Sequence, residues 1–168
     1  MRSARIRLGA VGTTLALTAA LLTTLWSSTQ TAQAATTTTA ACTPAQVIGN
    51  PGFEAGSTPS SASPAGLIGS FSGQPAHGGT REAWIDGNGR SATESVSQSV
   101  TIPAGCTTAS LTFWLHIDTA ETTTSTQYDK LTVKFGSTTL ATYSNLDKAS
   151  GYQQRTFDVS AFAGQTAT

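Results

Sequence analysis

Charge, aromatic side chains and cysteine are all scarce in this sequence. Charged residues make up 11% of the 168 positions and aromatic residues 7%, and there are two cysteines. The few Lys and Arg residues after position 34 form no cluster. Nucleic acid is therefore a poor candidate partner, and an anionic membrane surface is disfavoured for the same reason. Beyond the first 34 residues no segment keeps a helical period over ten residues, which argues against a helical fold.

Sequence motifs of hydrolytic enzymes are missing as well. The chain contains neither G-x-S-x-G nor H-E-x-x-H. Only its two histidines, His77 and His116, offer a general base near neutral pH. Glu82 and Asp86 share one parity of a predicted strand, whereas a glycosidase needs a defined carboxylate pair across a cleft. We therefore predict that the chain is not an enzyme, with an independent hydrolase as the remaining alternative.

Residues 1–34 have the layout of a secretory signal peptide. Three arginines fall within the first seven residues, an Ala/Leu/Thr run follows, and Ala32-Gln33-Ala34 provides an A-x-A cleavage site. An uncleaved membrane anchor is the alternative, but the apolar run is interrupted by Thr and Gly and ends early. We expect cleavage before Ala35 and a secreted, extracellular chain with no membrane segment. Cleavage leaves six basic and nine acidic residues. Residues 35–41 then form a Thr/Ala linker.

The two cysteines, Cys42 and Cys106, are expected to pair. In an exported protein an even pair most simply forms one disulfide. The bridge would close a loop of about 65 residues, which is worth roughly 4 kcal/mol in the chain-entropy model. A Cys nucleophile or a metal-binding pair is the alternative, and neither has a supporting His motif.

Two runs of alternating apolar residues dominate the middle of the chain. Apolar residues recur at one parity through residues 96–102 and again through residues 111–117. Strict alternation is typical of strands with one buried face. Pro103 and Gly105 between the runs favour a turn. We predict an antiparallel pair that closes between Ile102 and Ser110.

Further short strands are predicted along the chain, about eight in total at spacings near ten residues, as in a sandwich or jelly roll. They include residues 45–48, 81–86, 131–135, 139–143 and 155–159, and residues 165–168 look like the beginning of another strand.

Polar and aromatic residues share the faces of two predicted strands that are opposite their aliphatic residues. Glu82, Trp84 and Asp86 lie at one parity of residues 81–86, and Trp114 and His116 at one parity of the second alternating run. Trp stacks on the C–H faces of sugars while neighbouring polar groups bind the hydroxyls. These five residues form the predicted ligand-binding face. The alternative is that both Trp side chains fill a core.

Several motifs resemble those of the galactose-binding-like jelly rolls, which include many carbohydrate-binding modules of secreted bacterial enzymes. The resemblance covers about residues 46–168. Its motifs are Asn50-Pro51-Gly52-Phe53-Glu54, Ala76-His77-Gly78-Gly79, Ala83-Trp84-Ile85-Asp86-Gly87, Gln98-Ser99-Val100-Thr101-Ile102-Pro103, Leu111-Thr112-Phe113-Trp114-Leu115 and Tyr128-Asp129-Lys130-Leu131-Thr132-Val133.

The resemblance implies an all-β jelly-roll β-sandwich over residues 42–168. It implies a non-catalytic extracellular binding or accessory module whose partners are an extracellular polysaccharide or glycan and a secreted hydrolase domain. The alternative is a structural appendage or pro-segment of a secreted peptidase or glycosidase, without sugar binding. The resemblance also implies a structural Ca²⁺ with Glu54 as a ligand. The alternative is that Glu54 caps backbone N–H groups of its turn.

Members of that family end with a strand that carries paired Asp residues, and this sequence stops at Thr168. We therefore expect the last strand to be lacking and its neighbours, near Val47 and Ile48, to form an open edge. Open edges favour self-association.

Overall fold

A computed structural model describes residues 4–9, 42–87 and 89–168, and for residues 4–9 it describes the backbone. The predicted cleavage site and the linker at residues 35–41 lie outside the described residues. The predicted signal peptide lies outside them too, except for residues 4–9.

The described residues are almost entirely strand and loop, which confirms the all-β prediction. Two single 3₁₀ turns, Asn145–Asp147 and Ser160–Phe162, are the described helical segments. No helix among the described residues has the length and apolar character that a membrane crossing requires. The strands are β1 (Ala4–Gly9), β2 (Ser61–Ser63), β3 (Ile68–Gly69), β4 (Glu82–Ile85), β5 (Ser95–Ser97), β6 (Val100–Thr101), β7 (Ser110–Thr119), β8 (Lys130–Phe135), β9 (Thr138–Ser144), β10 (Gln153–Asp158) and β11 (Thr166–Ala167).

The largest sheet has five strands in the order β10-β7-β1-β4-β3. All of its neighbouring strands are antiparallel. The central strand β1 lies within the predicted signal peptide. Its backbone register places Ile6 opposite Ile85 and Ile117. β1 therefore connects the β10-β7 pair to the β4-β3 pair.

One apolar cluster covers a single face of this sheet. Its buried members are Ile85, Phe113, Leu115 and Ile117, and partly buried side chains of the β8-β9 hairpin pack against them. Alternation along β4 and β7 explains the cluster, because every second residue points to the same face. Both strands of this hairpin were predicted, at residues 131–135 and 139–143, and both are confirmed.

A second apolar cluster lies beside the disulfide. It contains Ile102, Phe135 and Val159, to which residues of β6 and β11 add partly buried contacts. Cys42 and Cys106, which are 64 positions apart in the sequence, form a disulfide bond, and their Cα atoms are 4.6 Å apart. The predicted disulfide is thereby confirmed, and it ties residue 42 to the corner between β6 and β7.

The predicted pairing of the two alternating runs is wrong, although both runs form strands. β5 pairs with β2, and β6 with β11. β7 pairs with β10 and β1, so both of its edges are occupied. The C-terminal segment covers the edge of β6, since Ile102 donates to the Gln165 carbonyl and accepts from the Gly164 N–H. The corner around Cys106 thus carries the chain from one sheet to another.

Residues 45–48 form no strand, contrary to the prediction. The Ile48 N–H donates to the side chain of Gln46, and the Gly49 N–H donates to the side chain of Gln98. These side-chain acceptors satisfy N–H groups that a ladder would otherwise use. The start of a strand predicted near the C-terminus is present as β11, but β11 pairs with β6 and not with Val47 and Ile48. Jelly-roll connectivity stays a prediction.

Candidate ligand-binding face

The face of β4 and β7 opposite the first apolar cluster carries four of the five predicted site residues. They are Glu82 and Trp84 on β4, and Trp114 and His116 on β7. β1 lies between the two strands, and its register places Arg7 opposite both Trp84 and His116. The two strands are therefore two strand spacings apart, about 10 Å. We call these four residues and the loop over them, residues 71–80, the ligand face.

Asp86, the fifth predicted residue, lies in the turn after β4. Its φ of 66° is left-handed, so the alternation of β4 ends before it. Its carboxylate accepts from the Gly87 N–H at 2.7 Å, and its own N–H donates to Glu94 at 2.5 Å. Asp86 is thus part of the turn at the end of the ligand face.

Two hydrogen bonds fix the buried polar residues of the ligand face. Glu82 is 2% exposed and His116 is 6% exposed. The Tyr152 hydroxyl donates to the Glu82 carboxylate at 2.5 Å. His116 Nδ1 lies 2.5 Å from Gln74 Oε1, and Nδ1 is the donor because an amide oxygen only accepts. Buried polar groups require such partners, so Tyr152 and Gln74 are held in place by residues beneath them.

An aromatic stack stands over these bonds. The His77 imidazole stacks on Trp114 with ring centroids 4.0 Å apart and the planes at 15°. Tyr152 meets His77 edge-on at 5.3 Å. His77 is exposed, whereas Trp114 and Tyr152 are half-buried. The outermost aromatic surface at this point is therefore the imidazole of His77.

The second tryptophan is also covered by a ring of the chain itself. Phe71 contacts Trp84 edge-on, with centroids 5.0 Å apart, and both side chains are half-buried. The indole N–H of Trp114 is buried and finds no hydrogen-bond partner among the described residues. Both tryptophans thus have part of their surface packed, which limits the area that they offer to a ligand.

Glu54 anchors the end of the loop over the ligand face. Its carboxylate accepts from the Thr80 N–H and the Arg81 N–H, both at 2.8 Å, and from the Thr80 hydroxyl at 2.7 Å. These hydrogen bonds, with a smaller contribution from the Arg81 charge, hold the pKa of Glu54 below its ordinary value. Glu54 does cap backbone N–H groups, but those of a distant loop. Its own turn is closed by Asn50, which bonds Ala55 and Gly56.

No cluster of three or more His, Cys, Asp or Glu residues suited to a metal ion occurs in the part of the chain that the structure describes. Ca²⁺ at Glu54 stays a prediction, and an ion there would have to compete with the three hydrogen bonds that the carboxylate already accepts.

Sequence reasoning missed a groove at the other end of β7. A cavity of about 400 Å³ lies between residues 42–48 and strands β6, β7 and β10. Its apolar wall includes Ile102, Leu111, Phe135 and Val159. The groove exists because residues 45–48 run past the sheet without pairing to it.

Sequence reasoning also missed Gln74 and Tyr152. Both lie outside the predicted strands, and Tyr152 is 70 positions from its partner Glu82. The available signals were weak: a polar residue before Pro75 and an aromatic residue after Gly151.

Comparisons of the chain with protein-family models, with curated proteins and with solved structures find no match. The resemblance to the galactose-binding-like jelly rolls therefore rests on the sequence motifs alone. What the chain does must be argued from its own residues.

Proposed function

We propose that the chain is a non-catalytic extracellular binding or accessory module whose ligand is an extracellular polysaccharide or glycan. The observation that carries this proposal is the exposed stack of His77 on Trp114, supported from beneath by two buried hydrogen bonds. Flat rings pack against the C–H face of a sugar ring, and nearby polar groups bind its hydroxyls. A glycan also suits a surface that is poor in charge.

The roles within the ligand face follow from burial. Glu82 and His116 are too buried to touch a ligand and act by positioning Tyr152 and Gln74. Direct contact is left to His77 and to the half-exposed edges of Trp114 and Tyr152, with Trp84 at the far side. Fixed side chains lower the entropic cost of binding, because fewer rotamers are lost.

A structural appendage or pro-segment of a secreted hydrolase, without sugar binding, is the second candidate. The packing of each tryptophan under another ring favours it, since Phe71 covers Trp84 and His77 covers Trp114. In that case the loop of residues 71–80 shields a small core. The two candidates differ in whether any glycan binds.

Glycan-array binding and polysaccharide pull-down with the exported protein separate the two candidates. We expect at least one polysaccharide to bind and His77→Ala to weaken that binding about tenfold, since one anchor ring is lost. Tyr128→Ala is the matched control, because Tyr128 is 51% exposed and lies in the loop before β8. No binding to any glycan would favour the appendage. Unchanged binding by His77→Ala together with Trp84→Ala would remove the proposed face.

A structural Ca²⁺ at Glu54 is a lesser part of the proposal. A carboxylate has about four acceptor positions, and three hydrogen bonds occupy most of them here. An ion would therefore compete with the Thr80 and Arg81 donors. A rise in melting temperature on Ca²⁺ addition that disappears in Glu54→Gln supports the site, and no Ca²⁺ effect in the wild type rejects it.

A further inference from the structure

The backbone position between β4 and β7 is one strand wide and is occupied by β1. β1 pairs residue by residue with positions 114–119 of β7 and with positions 83–85 of β4. The other edge of β4 is occupied by β3, and β10 pairs with residues 110–115 of β7. Without β1, two unpaired edges would face each other across about 10 Å, the width that one added strand fills.

The sequence that occupies this position belongs to the segment predicted to be removed on export. Cleavage before Ala35 would take β1 away and leave the edges of β4 and β7 open in the middle of the sheet. Unpaired backbone N–H and C=O groups on such edges are costly when buried and are templates for another strand.

We propose that this position is a strand-acceptor groove, and that in the exported chain it binds an extended peptide segment of another protein. The inference rests on the predicted cleavage and does not require that a glycan binds, although the bound strand would lie between the two strands that carry the ligand face. The bound segment runs antiparallel to both β4 and β7, as β1 does. Binding by addition of a strand uses backbone hydrogen bonds for affinity and alternate side chains for specificity.

The register defines the chemistry of the bound segment on its core side. Position 6 of the chain lies opposite Ile85 and Ile117, and position 8 lies opposite Ala83 and Leu115. All four of these opposite residues are buried and apolar. Directly opposite residues of paired strands share a face. The segment therefore needs aliphatic residues two positions apart.

The other parity faces a different environment. Position 7 lies opposite Trp84 and His116, and position 5 lies opposite Asp118. Glu82 precedes Ala83 on β4, so acidic residues flank the groove on this side. Charge complementarity therefore favours a basic residue between the aliphatic ones. An alternating aliphatic and basic segment is the occupant to which the groove is suited.

The described part of the chain offers no strand of its own for this position. β11 is engaged with β6, and the Thr168 carbonyl accepts from the Gly136 N–H. The remaining strands are paired in their own sheets. A second copy could donate one of these strands only by breaking its pairing, and its unpaired residues 45–48 carry no basic residue between apolar ones. We therefore assign the occupant to another protein.

The test uses the full chain, oxidised, with a site-specific protease sequence placed within residues 35–41. After cutting, labelled synthetic peptides compete for the groove. One has the sequence of residues 4–9. A second has the same composition with positions 5 and 6 exchanged and positions 7 and 8 exchanged, which moves the aliphatic residues to the other face. A third is an unrelated peptide of alternating Val and Lys.

We expect the first and third peptides to bind one per chain and to restore amide protection at Ala83 and Ile85 of β4 and within residues 116–119 of β7. The Trp84 N–H is no reporter of the groove, because it donates to the Leu67 carbonyl. The exchanged peptide should bind at least about tenfold more weakly, because it places charge against the apolar cluster. Protection in β8 and β9 serves as the control for global folding. Three results would overturn the proposal: equal binding of all three peptides, protection of the groove without any peptide, or dimerisation of the cut chain that fills the groove. Binding of the first peptide but not the third would overturn the assigned chemistry.

Discussion

Replacing Tyr152 by Phe tests whether the buried hydrogen bonds hold the ligand face together. The substitution removes one hydroxyl and keeps the ring that lies 5.3 Å from His77 and 5.6 Å from His116. The hydroxyl donates to Glu82, which is 2% exposed. A hydrogen bond contributes about 0.5–1.5 kcal/mol net, and a buried acceptor that loses its donor costs about 1–3 kcal/mol. We therefore expect Tyr152→Phe to lower the free energy of unfolding by about 2 kcal/mol.

Urea unfolding of the oxidised protein measures this loss, with Tyr128→Phe as a control in which the hydroxyl belongs to an exposed ring. A double-mutant cycle with Glu82→Gln isolates the coupling between the two side chains. The reasoning predicts a coupling of about 1 kcal/mol or more, since the partners are in direct contact. A Tyr152→Phe variant as stable as the control, or a coupling near zero, would show that Glu82 does not depend on Tyr152. Glycan binding measured on the same variant should weaken as well, because Tyr152 would lose its fixed position.

Three further predictions concern the anchors of the chain. Gly79→Ala should lower the free energy of unfolding by at least about 1 kcal/mol, because Gly79 has a left-handed φ of 73° and a Cβ there would meet the Glu54 carboxylate. Gly78→Ala is the control: the position has open space around it, and its melting temperature should not change. The pKa of Glu54 is lowered in the folded state, so its stabilising contribution is present above the unfolded carboxyl pKa of about 4.3 and is lost as the pH falls through the folded pKa. Acid titration of Glu54→Gln should therefore show a weaker loss of stability below that pH than the wild type, and an identical titration would contradict the assignment. Replacing Cys42 and Cys106 together by Ser should lower the free energy of unfolding by up to about 4 kcal/mol, measured in urea. A change below about 1 kcal/mol would show that the disulfide contributes little by restricting the unfolded chain.

Local patterns in the sequence predicted the strands and their faces well. Alternation placed Glu82 and Trp84 on the face opposite Ala83, and Trp114 and His116 on the face opposite Leu115, as the structure has them. A period of two follows from backbone geometry alone and needs no knowledge of the partner strand. The disulfide followed from the number of cysteines.

Pairing between strands was not predictable in the same way. The runs on either side of Cys106 are adjacent in sequence, yet β6 pairs with β11 and β7 with β1 and β10. The choice of neighbouring strand at each strand edge depends on segments that are distant in the sequence. The same holds for Gln74 and Tyr152, which are 42 and 70 positions away from their hydrogen-bond partners. Residues 4–9 also alternate between apolar and basic residues, but arginines at this place are equally typical of a signal peptide, so the sequence did not predict a strand there.

The central claim is that a glycan binds at the ligand face. The most direct test records ¹H–¹⁵N spectra of the protein while it is titrated with an oligosaccharide, chosen as the tightest binder on the glycan array. The account predicts shifts in the side-chain signals of His77, Trp84 and Trp114, with those of β8 and β9 unchanged. Spectra in which no glycan shifts these signals would contradict it. So would shifts confined to the groove beside residues 42–48.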